Sequence, residues 1–393
     1  MHITQVAPRF PPAIGGVEEH VYRISLELAK RGHKITVITS NEFDSEKLLG
    51  DEGEANGIRV QRFPLFFPKF FRECWLSPTM LKSYKNFKTD VVHVHGYRCL
   101  NSFIALLMAR FKGTPKVFTP HGIYPPRSRA DALFKKTFDI FLGRLMLKIS
   151  DRIIALTEHN KRLLLQMGAH EEKISILPNG ISLEEFKAIR RKNYKTLKDK
   201  YGSPLLLYVG RIDWNKRLEK IVEAMPLILK NFPSAKLMIV GPDYANHADQ
   251  LKRLGRKLGV DPALIITGAV PREKLLSFYS IADVFILPSL YEGFGISLLE
   301  AMMSQVPVVA SPFGGPGDIL THRVNAWLLN GEDETEIFEA VNSILSDGNL
   351  RETIVQNALK LVKSRYTWEK IVDELELIYI QVVRKKSKGK ASF

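Results

Sequence analysis

Two carboxylates, Glu292 and Glu300, stand eight residues apart in the segment YEGFGISLLEAM. The apolar run before them, DVFILPS, predicts a buried strand, and the apolar spacing after Gly295 predicts a helix. Glu292 therefore falls in a loop at the carboxyl end of a strand, and Glu300 lies little more than one turn inside the helix. Carboxylates accept hydrogen bonds from hydroxyls, so this spacing could hold a sugar and a ribose separately. Taken alone, each residue also fits a turn or a solvated helix surface.

The residues between the two carboxylates, Gly293, Phe294 and Gly295, form a short glycine-bearing loop. Backbone N–H groups beside a helix start are accessible in such a loop and can hold anions or sugar oxygens. The loop is therefore a candidate binding segment for the charged or hydroxylated part of a ligand.

The Glu-x7-Glu pattern resembles the donor-site signature of glycosyltransferase family 4, and the resemblance extends over nearly the whole chain. It implies the two-domain GT-B fold and a retaining transfer of a hexosyl unit from a nucleotide sugar, without a metal ion or other cofactor. It assigns Glu292 to hydroxyls of the donor sugar and Glu300 to the nucleotide ribose. Gly293, Phe294 and Gly295 belong to the same donor-binding set.

Another segment of the second half, LLYVGRIDWNKRL, resembles the cationic motif of the family. By this resemblance Arg211 and Lys216 neutralise the departing nucleotide diphosphate, which fixed cations can do without a divalent metal. The glycine that usually follows the lysine is Arg217 in this chain. A surface pair of cations at a helix start is the alternative interpretation.

Two segments of the first half also resemble the family. In PAIGGVEEHV, Gly15 and Gly16 would let the backbone approach the donor diphosphate or the acceptor at a helix that begins near Val17. His121 in KVFTPHGIY matches the His-Gly at the end of a strand, where its backbone and ring meet the transferred sugar. The resemblance therefore assigns His121 and Glu292 to the reacting centre.

Other candidate residues receive a structural interpretation. His93 and His95 in DVVHVHG are predicted to be structural, with His95 the closer to a binding site. The segment SPFGGPGDIL resembles a Gly-Gly-x-Pro-Glu loop of the family, but Pro316, Gly317 and Asp318 replace the usual order. Donor contacts from this loop are therefore in doubt, although its two glycines can still approach a phosphate.

Strand-like apolar runs alternate with amphipathic helical runs through both halves of the chain. This alternation predicts an α/β protein with two doubly wound parallel sheets. We predict an N-terminal acceptor-side Rossmann-like domain over 1–180 and a C-terminal nucleotide-sugar-binding Rossmann-like domain over 181–367. Residues 368–393 form a helix and basic tail that pack back toward the N-terminal domain. In the GT-B fold the two domains face a central cleft, at the strand ends where such sheets bind ligands.

The net charge of +15 is concentrated in the first domain and the tail. Residues 1–180 carry 27 Lys and Arg against 17 Asp and Glu, and the tail adds five cations between Arg384 and Lys390. Such an asymmetry indicates an anionic partner, which is a nucleic acid, a membrane surface or a phosphorylated substrate.

Two segments of the first domain are suited to a membrane surface. The stretch FFPKFFRECW, followed by LKSYKNFK, mixes aromatic and basic residues, and RSRADALFKKTFDIFLGRLMLK predicts a basic amphipathic helix containing Phe134, Phe138, Ile140 and Phe141. Such segments contact anionic headgroups peripherally. A sugar acceptor that is lipid-linked or phosphorylated follows as a hypothesis. A core-facing helix with a solvated basic face is the equal alternative.

The remaining features concern localisation. The start MHITQVAP lacks the features of a signal peptide, and no apolar run approaches the roughly 20 residues of a membrane span. Cys74 and Cys99 have no metal or CxxC motif and suit a reducing compartment. We therefore expect a cytoplasmic protein, in contact with the cytoplasmic face of a membrane if the acceptor is lipid-linked.

Two alternatives to a transferase remain. One is a GT-B epimerase or phosphorylase, and the other, suggested by charge alone, is a nucleic-acid-binding protein. No nucleic-acid recognition motif accompanies the charge, so we expect no nucleic-acid partner. A dehydrogenase is disfavoured because no GxGxxG follows the first strand.

Overall fold

The computed structural model describes residues 1–43, 46–47, 52–64, 77–85, 88–124, 126, 128–190, 195–243, 246–331 and 333–391. The chain divides into two compact units. The first unit contains Met1–Asn179 together with the C-terminal segment that begins at Trp368, and the second contains Gly180–Thr367. The aromatic and basic stretch at 66–75, with Cys74, lies outside the described residues.

The described part of the first unit is built on one large sheet and a short antiparallel pair. The strands are β1 (His2–Val6), β2 (Lys34–Ser40), β3 (Glu42–Phe43), β4 (Glu46–Lys47), β5 (Glu52–Ala55), β6 (Ile58–Phe63), β7 (Val91–His95), β8 (Lys116–Thr119), β9 (Arg152–Ala155) and β10 (Ile174–Ile176). The large sheet has the order β10-β9-β8-β7-β1-β2-β6-β5. Its neighbours are parallel except β5, which is antiparallel to β6.

Helices cover both faces of this sheet. They are α1 (Gly16–Lys30), α2 (Pro78–Lys85), α3 (Leu100–Phe111), α4 (Arg129–Phe138), α5 (Arg144–Ile149), α6 (Glu158–Gln166) and, at the C-terminus of the chain, α16 (Trp368–Ala391). A π-helical turn, Asp139–Gly143, joins α4 to α5.

Successive residues of the central strands belong to two separate cores. Val91 and Val117 pack in the cluster that contains α1 and α16, whereas Val92 and Phe118 pack in the cluster that contains α2, α3 and α5. Because side chains alternate across a strand, these clusters lie on opposite faces of the sheet. Burial on both faces explains why these strands read as continuous apolar runs.

The second unit has a fully parallel sheet in its described residues. Its strands are β11 (Leu205–Val209), β12 (Lys236–Val240), β13 (Leu264–Gly268), β14 (Val284–Leu287), β15 (Val308–Ala310) and β16 (Trp327–Leu328), and their order is β13-β12-β11-β14-β15-β16. The helices are α7 (Leu183–Arg190), α8 (Lys195–Tyr201), α9 (Leu218–Asn231), α10 (His247–Lys257), α11 (Arg272–Ile281), α12 (Ile296–Met303), α13 (Pro316–Ile319), α14 (Glu334–Ser346) and α15 (Gly348–Arg365).

The prediction of two doubly wound parallel α/β domains is confirmed by these two sheets. The charged segment after residue 182, whose secondary structure was not predicted, contains α7 and α8. Within the described ranges, every helix is too short or too polar to cross a bilayer.

Each sheet contains one point at which the strand order reverses. The reversal lies between β1 and β7 in the first unit and between β11 and β14 in the second. In open α/β sheets the loops at the carboxyl ends of the two strands diverge at such a point and leave a crevice in which ligands bind. Functional residues are therefore expected after β1 and β7, and after β11 and β14.

A close backbone contact shapes the crevice in the second unit. Gly241, directly after β12, has φ 146°, and a Cβ atom there would lie 1.9 Å from the carbonyl oxygen of Gly210, directly after β11. Real Cβ atoms do not approach backbone oxygens so closely, so residue 241 must be glycine for the two loops to pack. This contact positions the loop that begins with Arg211.

We expect Gly241→Ala to lower the free energy of unfolding of the second unit by about 3 kcal/mol or more. The change adds a backbone overlap to the cost of a conformation that L-residues avoid. Urea denaturation measures the total loss, and hydrogen exchange of β11 and β12 locates it.

The matched control is Gly259→Ala, because Gly259 also has a positive φ, 69°, but no atom within 4 Å of a Cβ at that position. It should cost only about 1 kcal/mol. Equal losses for the two variants would contradict the contact argument.

Candidate active site

The loops after β11 and β14 are joined by hydrogen bonds at the crevice of the second unit. The Leu290 N–H donates to the Asn215 carbonyl oxygen at 2.8 Å, and the Asn215 side-chain amide donates to the Tyr291 carbonyl oxygen at 2.8 Å. The side chain of Asp213 accepts from the Asn215 N–H at 3.0 Å and caps a short turn. Two segments that are far apart in sequence therefore form one wall.

Glu292 and Lys216 form an ion pair across this wall. The Lys216 ammonium donates to Glu292 Oε1, and the Ser289 hydroxyl donates to the same oxygen at 3.0 Å. The two charged side chains are only 7% and 12% exposed. A buried carboxylate requires a cation or hydrogen-bond donors, so each residue fixes the other in place.

The backbone of Glu292 is held by the loop after β15. The Glu292 N–H donates to the Phe313 carbonyl oxygen at 3.1 Å, and the Gly315 N–H donates to the Glu292 carbonyl oxygen at 2.9 Å. A Cβ atom at Gly314 would lie 2.1 Å from that same carbonyl oxygen. Gly314 and Gly315, the two glycines that could approach a phosphate, pack against the Glu292 loop in the structure.

Glu300 is also buried and paired, but with a different set of residues. Arg272 donates to Oε1, and the Tyr279 hydroxyl donates to Oε2 at 2.9 Å. Arg272 also forms an ion pair with Glu185 at 3.0 Å. Burial, followed by the negative charge of Glu300, raises the pKa of the Tyr279 hydroxyl well above its ordinary value. Tyr279 is therefore a permanent donor to Glu300.

The residue after Lys216 adopts a backbone conformation that glycine favours. Arg217 has φ 51° and ψ 41°, which is the left-handed region. A residue other than glycine adopts this conformation at a cost of roughly 1–2 kcal/mol. Arg211 lies at the start of the same loop, with 37% of its side chain exposed and its guanidinium 3.5 Å from Asp213.

The loop between the carboxylates offers a ligand mainly its backbone. Gly295 has φ 90° and precedes the first residue of α12, whose initial N–H groups lack intrahelical partners. The ring of Phe294 is buried and packs at 6.0 Å on Tyr366. Phe294 can therefore bind a ligand through its backbone N–H group but not through its ring.

In the first unit, the predicted glycine loop leads directly into α1. The helix begins at Gly16, one residue before the predicted start at Val17. A Cβ atom at Gly15 would lie 2.3 Å from a carboxylate oxygen of Glu18, which Arg9 holds in an ion pair at 2.6 Å. Gly15 thus leaves room for this buried carboxylate at the start of the helix.

His121 lies after β8 in a cluster of buried imidazoles. It has φ 61°, a strained value for a residue other than glycine and one that often marks a functional site. Its Nε2 is 3.0 Å from His95 Nδ1, and its ring centroid is 4.9 Å from that of His20. His20 was missed in the sequence, because its position inside the regular pattern of α1 carries no local signal.

Burial keeps these imidazoles uncharged. It lowers the pKa of His20 to about 4, although a hydrogen bond to Asn179 at 2.6 Å opposes the shift. Burial and mutual repulsion lower the pKa of His95 and His121 well below the ordinary value. At neutral pH the cluster therefore offers lone pairs and N–H groups instead of positive charge.

The two Rossmann-like units have the architecture of the GT-B fold, which is a fold of two-domain glycosyltransferases. Comparisons with known proteins support this class. Residues 14–185 match the model described as Glycosyltransferase Family 4, and residues 189–361 match that of Glycosyl transferases group 1. The chain is 30% identical over 404 residues to an uncharacterized glycosyltransferase of Methanocaldococcus jannaschii, covering 96% of this chain and 98% of that protein.

Two further relatives extend the comparison. One is the phosphatidylinositol N-acetylglucosaminyltransferase GPI3 subunit of Saccharomyces cerevisiae, 22% identical over 97% of this chain and 83% of that protein. The other is the crystal structure of Anabaena HepE in complex with UDP and glucose, with a TM-score of 0.78, 19% identity, and coverage of 97% of this chain and 100% of that one. The chain belongs to glycosyltransferase family 4.

We expect the first unit to lose stability as the pH falls from about 6.5 to about 4. The folded-state pKa of His20 is about 4, below its unfolded value of 6.5, so the unfolded chain binds the proton more readily in this window. Stability is complete above pH 6.5, and His20 alone removes about 2 kcal/mol by pH 5. Hydrogen exchange of α1 and β7 at pH 7.5 and pH 5 measures the loss.

The variant His20→Gln should flatten this pH dependence, because the glutamine does not titrate. Its stability difference between pH 7.5 and pH 5 should be about 2 kcal/mol smaller than that of the parent chain. An unchanged slope in the variant would show that His20 is not the group responsible.

Proposed function

We propose that this glycosyltransferase moves a hexosyl unit from a nucleotide sugar with retention of configuration and without a metal ion. We propose further that its acceptor is lipid-linked or phosphorylated and is met at the cytoplasmic face of a membrane. The observation that carries the donor side of the proposal is the pair of buried carboxylates, each matched to a cation, beside the strand reversal of the second unit.

Glu292 and Lys216 would act together on the donor. Lys216 uses one of its three N–H donors on Glu292, which leaves donors for a diphosphate oxygen. Glu292 retains acceptor positions for hydroxyls of the transferred sugar. The partly exposed Arg211 would add a second cation to the diphosphate, so that the charge of the leaving group is neutralised as it forms.

Glu300 would hold the ribose of the nucleotide. Arg272 and Tyr279 orient its carboxylate, and the carboxylate can still accept hydrogen bonds from two vicinal hydroxyls. The backbone N–H groups of the loop from Gly293 to Gly295 and the start of α12 would meet phosphate oxygens. A related structure contains UDP and glucose, which supports a nucleotide-sugar donor for this chain.

His121 would meet the reacting end of the donor sugar. Its pKa is held low by burial, so it would act through hydrogen bonds and not as a cation. The retaining route then relies on stabilising the departing diphosphate, with water kept out of the site.

We expect the purified chain to bind one class among UDP-, GDP- and ADP-sugars, and Glu300→Gln to weaken that binding about 10- to 100-fold. The isosteric change removes charge-assisted hydrogen bonds to the ribose, which are worth roughly 1.5–3 kcal/mol. Calorimetric titration with each nucleotide sugar measures the loss. Arg272 keeps its ion pair with Glu185 in this variant, so it is not left without a partner.

The control for this experiment is Glu339→Gln, which changes an exposed glutamate on α14 and should leave binding unchanged.

Two further measurements test the other parts of the proposal. Turnover in the presence of EDTA tests metal independence, and NMR of the first-formed product tests retention of the anomeric configuration. Donor isomerisation without transfer, or consumption that requires inorganic phosphate, would favour an epimerase or a phosphorylase. If none of the nucleotide sugars binds, the proposal fails.

The acceptor part of the proposal rests on one surface of the first unit, the α4–α5 face. Its exposed apolar side chains are Leu133, Ile140, Phe141 and Leu145, with Leu133 and Phe141 each more than two-thirds exposed, and its exposed cations are Arg129, Lys136, Arg144 and Lys148. The spacing of three to four residues puts both sets on one side of a nearly continuous helix.

The predicted amphipathic helix is thus split between the core and the surface. Phe138 is buried and Phe134 packs against it, so these two rings belong to the core. Ile140 and Phe141 point outward, which a purely core-facing helix does not require. The acidic groups of the segment are neutralised locally, because Asp131 pairs with Lys135 and Asp139 pairs with Arg98.

This combination suits an anionic lipid surface. Basic residues contribute about 1 kcal/mol each near such a surface, and an inserted phenylalanine adds apolar burial. The yeast relative, by its name, transfers to phosphatidylinositol, which supports a lipid acceptor for this chain.

We expect the protein to sediment with vesicles of phosphatidylcholine and phosphatidylglycerol at low salt, and much less with phosphatidylcholine alone. Changing both Leu133 and Phe141 to Ser should weaken this binding at least tenfold, because two exposed apolar anchors are lost. Co-sedimentation at several lipid concentrations measures the affinity.

The control is Leu377→Ser, which removes a 59% exposed leucine from α16 on the opposite face of the same sheet. It should bind as the parent chain does. Failure to bind anionic vesicles, together with transfer only to soluble neutral sugars, would overturn the acceptor part of the proposal.

A further inference from the structure

The buried histidines of the first unit form part of a continuous hydrogen-bonded chain. Starting from the proposed reacting centre, the contacts are His121 Nε2 to His95 Nδ1 at 3.0 Å, His95 Nε2 to Gln5 Oε1 at 2.8 Å, Gln5 Nε2 to the Tyr379 hydroxyl at 3.2 Å, the Tyr379 hydroxyl to His93 Nδ1 at 2.7 Å, and His93 Nε2 to Thr119 Oγ1 at 2.7 Å. All of these side chains are buried. We call this set the Gln5 chain.

Four separate elements supply the members of the Gln5 chain. Gln5 is on β1, His93 and His95 are on β7, and the chain continues to residues at the end of β8. Tyr379 comes from α16, 374 residues after Gln5 in the sequence. The strands β1 and β7 flank the strand reversal, so the Gln5 chain crosses the point at which this sheet would bind a ligand.

Gln5 determines the direction of every bond in the chain. Its amide oxygen can only accept, so the hydrogen of neutral His95 must be on Nε2. His95 Nδ1 is then an acceptor, and the hydrogen of His121 must be on Nε2 to donate to it. The Nδ1 atom of His121 is consequently left with a lone pair.

The other half of the chain is compatible with that orientation. The Gln5 amide nitrogen donates to the Tyr379 oxygen, so the Tyr379 hydroxyl is left to donate to His93 Nδ1, and His93 Nε2 then carries the hydrogen that Thr119 accepts. A reversed amide would place two donors or two acceptors face to face unless every proton in the chain moved with it. Tyr379 therefore helps to set the orientation of an amide two contacts away from His121.

The same rings also resemble the ligand set of a metal ion. Nitrogen atoms of His20, His95 and His121 lie within 4.8 Å of one another. However, His95 Nδ1 and His121 Nε2 lie 3.0 Å apart, which is the distance of a hydrogen bond between an acceptor and a donor nitrogen. One hydrogen, shared between His95 Nδ1 and His121 Nε2, accounts for this distance without a metal ion.

We infer that Tyr379 and Gln5 act through His95 as positioning residues that hold His121 with Nε2–H as a donor and Nδ1 as a free acceptor. In this state His121 accepts a hydrogen bond from a hydroxyl of the bound sugar and does not protonate it. The inference rests on the proposed role of His121 at the donor sugar. Through Tyr379, the C-terminal helix α16 would then help to position a residue of the proposed site.

The decisive experiment reads the tautomer of His121 directly. The full chain, labelled with ¹⁵N-histidine, is studied by long-range ¹H–¹⁵N correlation at pH 7.5, and His121→Asn assigns the signals. We expect a protonated Nε2 and an unprotonated Nδ1 for both His95 and His121. A protonated Nδ1 or an imidazolium at His121 would overturn the inference, as would one bound zinc per chain that is lost in His20→Ala.

Three variants then test the positioning role in the same spectra and in turnover. Tyr379→Phe and Gln5→Met should leave the Kd for the nucleotide sugar unchanged, mix the tautomers of His121 and lower kcat roughly tenfold. Gln5→Glu should restore the parent tautomer and most of the turnover, because a carboxyl group still accepts from His95. The control Tyr84→Phe changes a tyrosine that is equally buried on α2, in the other core, and should leave the Kd, the tautomers and kcat unchanged.

The tautomer experiment and the test of the proposed function can fail independently of each other. The tautomer is measured without substrate, so the expected tautomer in a chain that binds no nucleotide sugar would reject the proposed function alone. Transfer that proceeds normally in Tyr379→Phe and Gln5→Met, with an unchanged tautomer, would reject the positioning role alone.

Discussion

The site in the second unit depends on the constraint that a buried carboxylate must be paired. Glu292 is held by Lys216 from the loop after β11, and Glu300 is held by Arg272 at the start of α11. These ion pairs join the elements on the two sides of the strand reversal, and Gly314 and Gly315 allow the loop after β15 to pack behind them. Removing one partner would leave a charge without compensation inside the protein.

The histidine cluster of the first unit follows the opposite principle, since its buried imidazoles are neutral. Desolvation disfavours a charged imidazole, so the four histidines satisfy one another and nearby amide and hydroxyl groups through hydrogen bonds. The C-terminal helix completes this arrangement, because Trp368 packs on His20 and Tyr379 bonds to His93. The carboxylate site of the second unit is therefore built on paired charges, and the histidine cluster of the first unit is built on directed hydrogen bonds.

Local patterns were sufficient to predict much of the fold. The apolar run DVFILPS contains β14, which ends at Leu287, and the helix that carries Glu300 begins at Ile296 as its apolar spacing indicated. The predicted start of α1, near Val17, differs by one residue from the observed start at Gly16, because end positions depend on caps and packing. The pattern did not separate Phe138, which is buried, from Phe141, which is exposed.

The sequence by itself determined the two parallel-sheet units, the loops that follow their strands and the family of the chain, because periodicity and glycine placement are local properties. Only the tertiary structure decided which cation pairs with which carboxylate, that Arg217 adopts the left-handed turn, and that His20 and Tyr379 join the histidines of β7. These contacts join residues dozens to hundreds of positions apart. Their partners are selected by burial, which no short segment of sequence records.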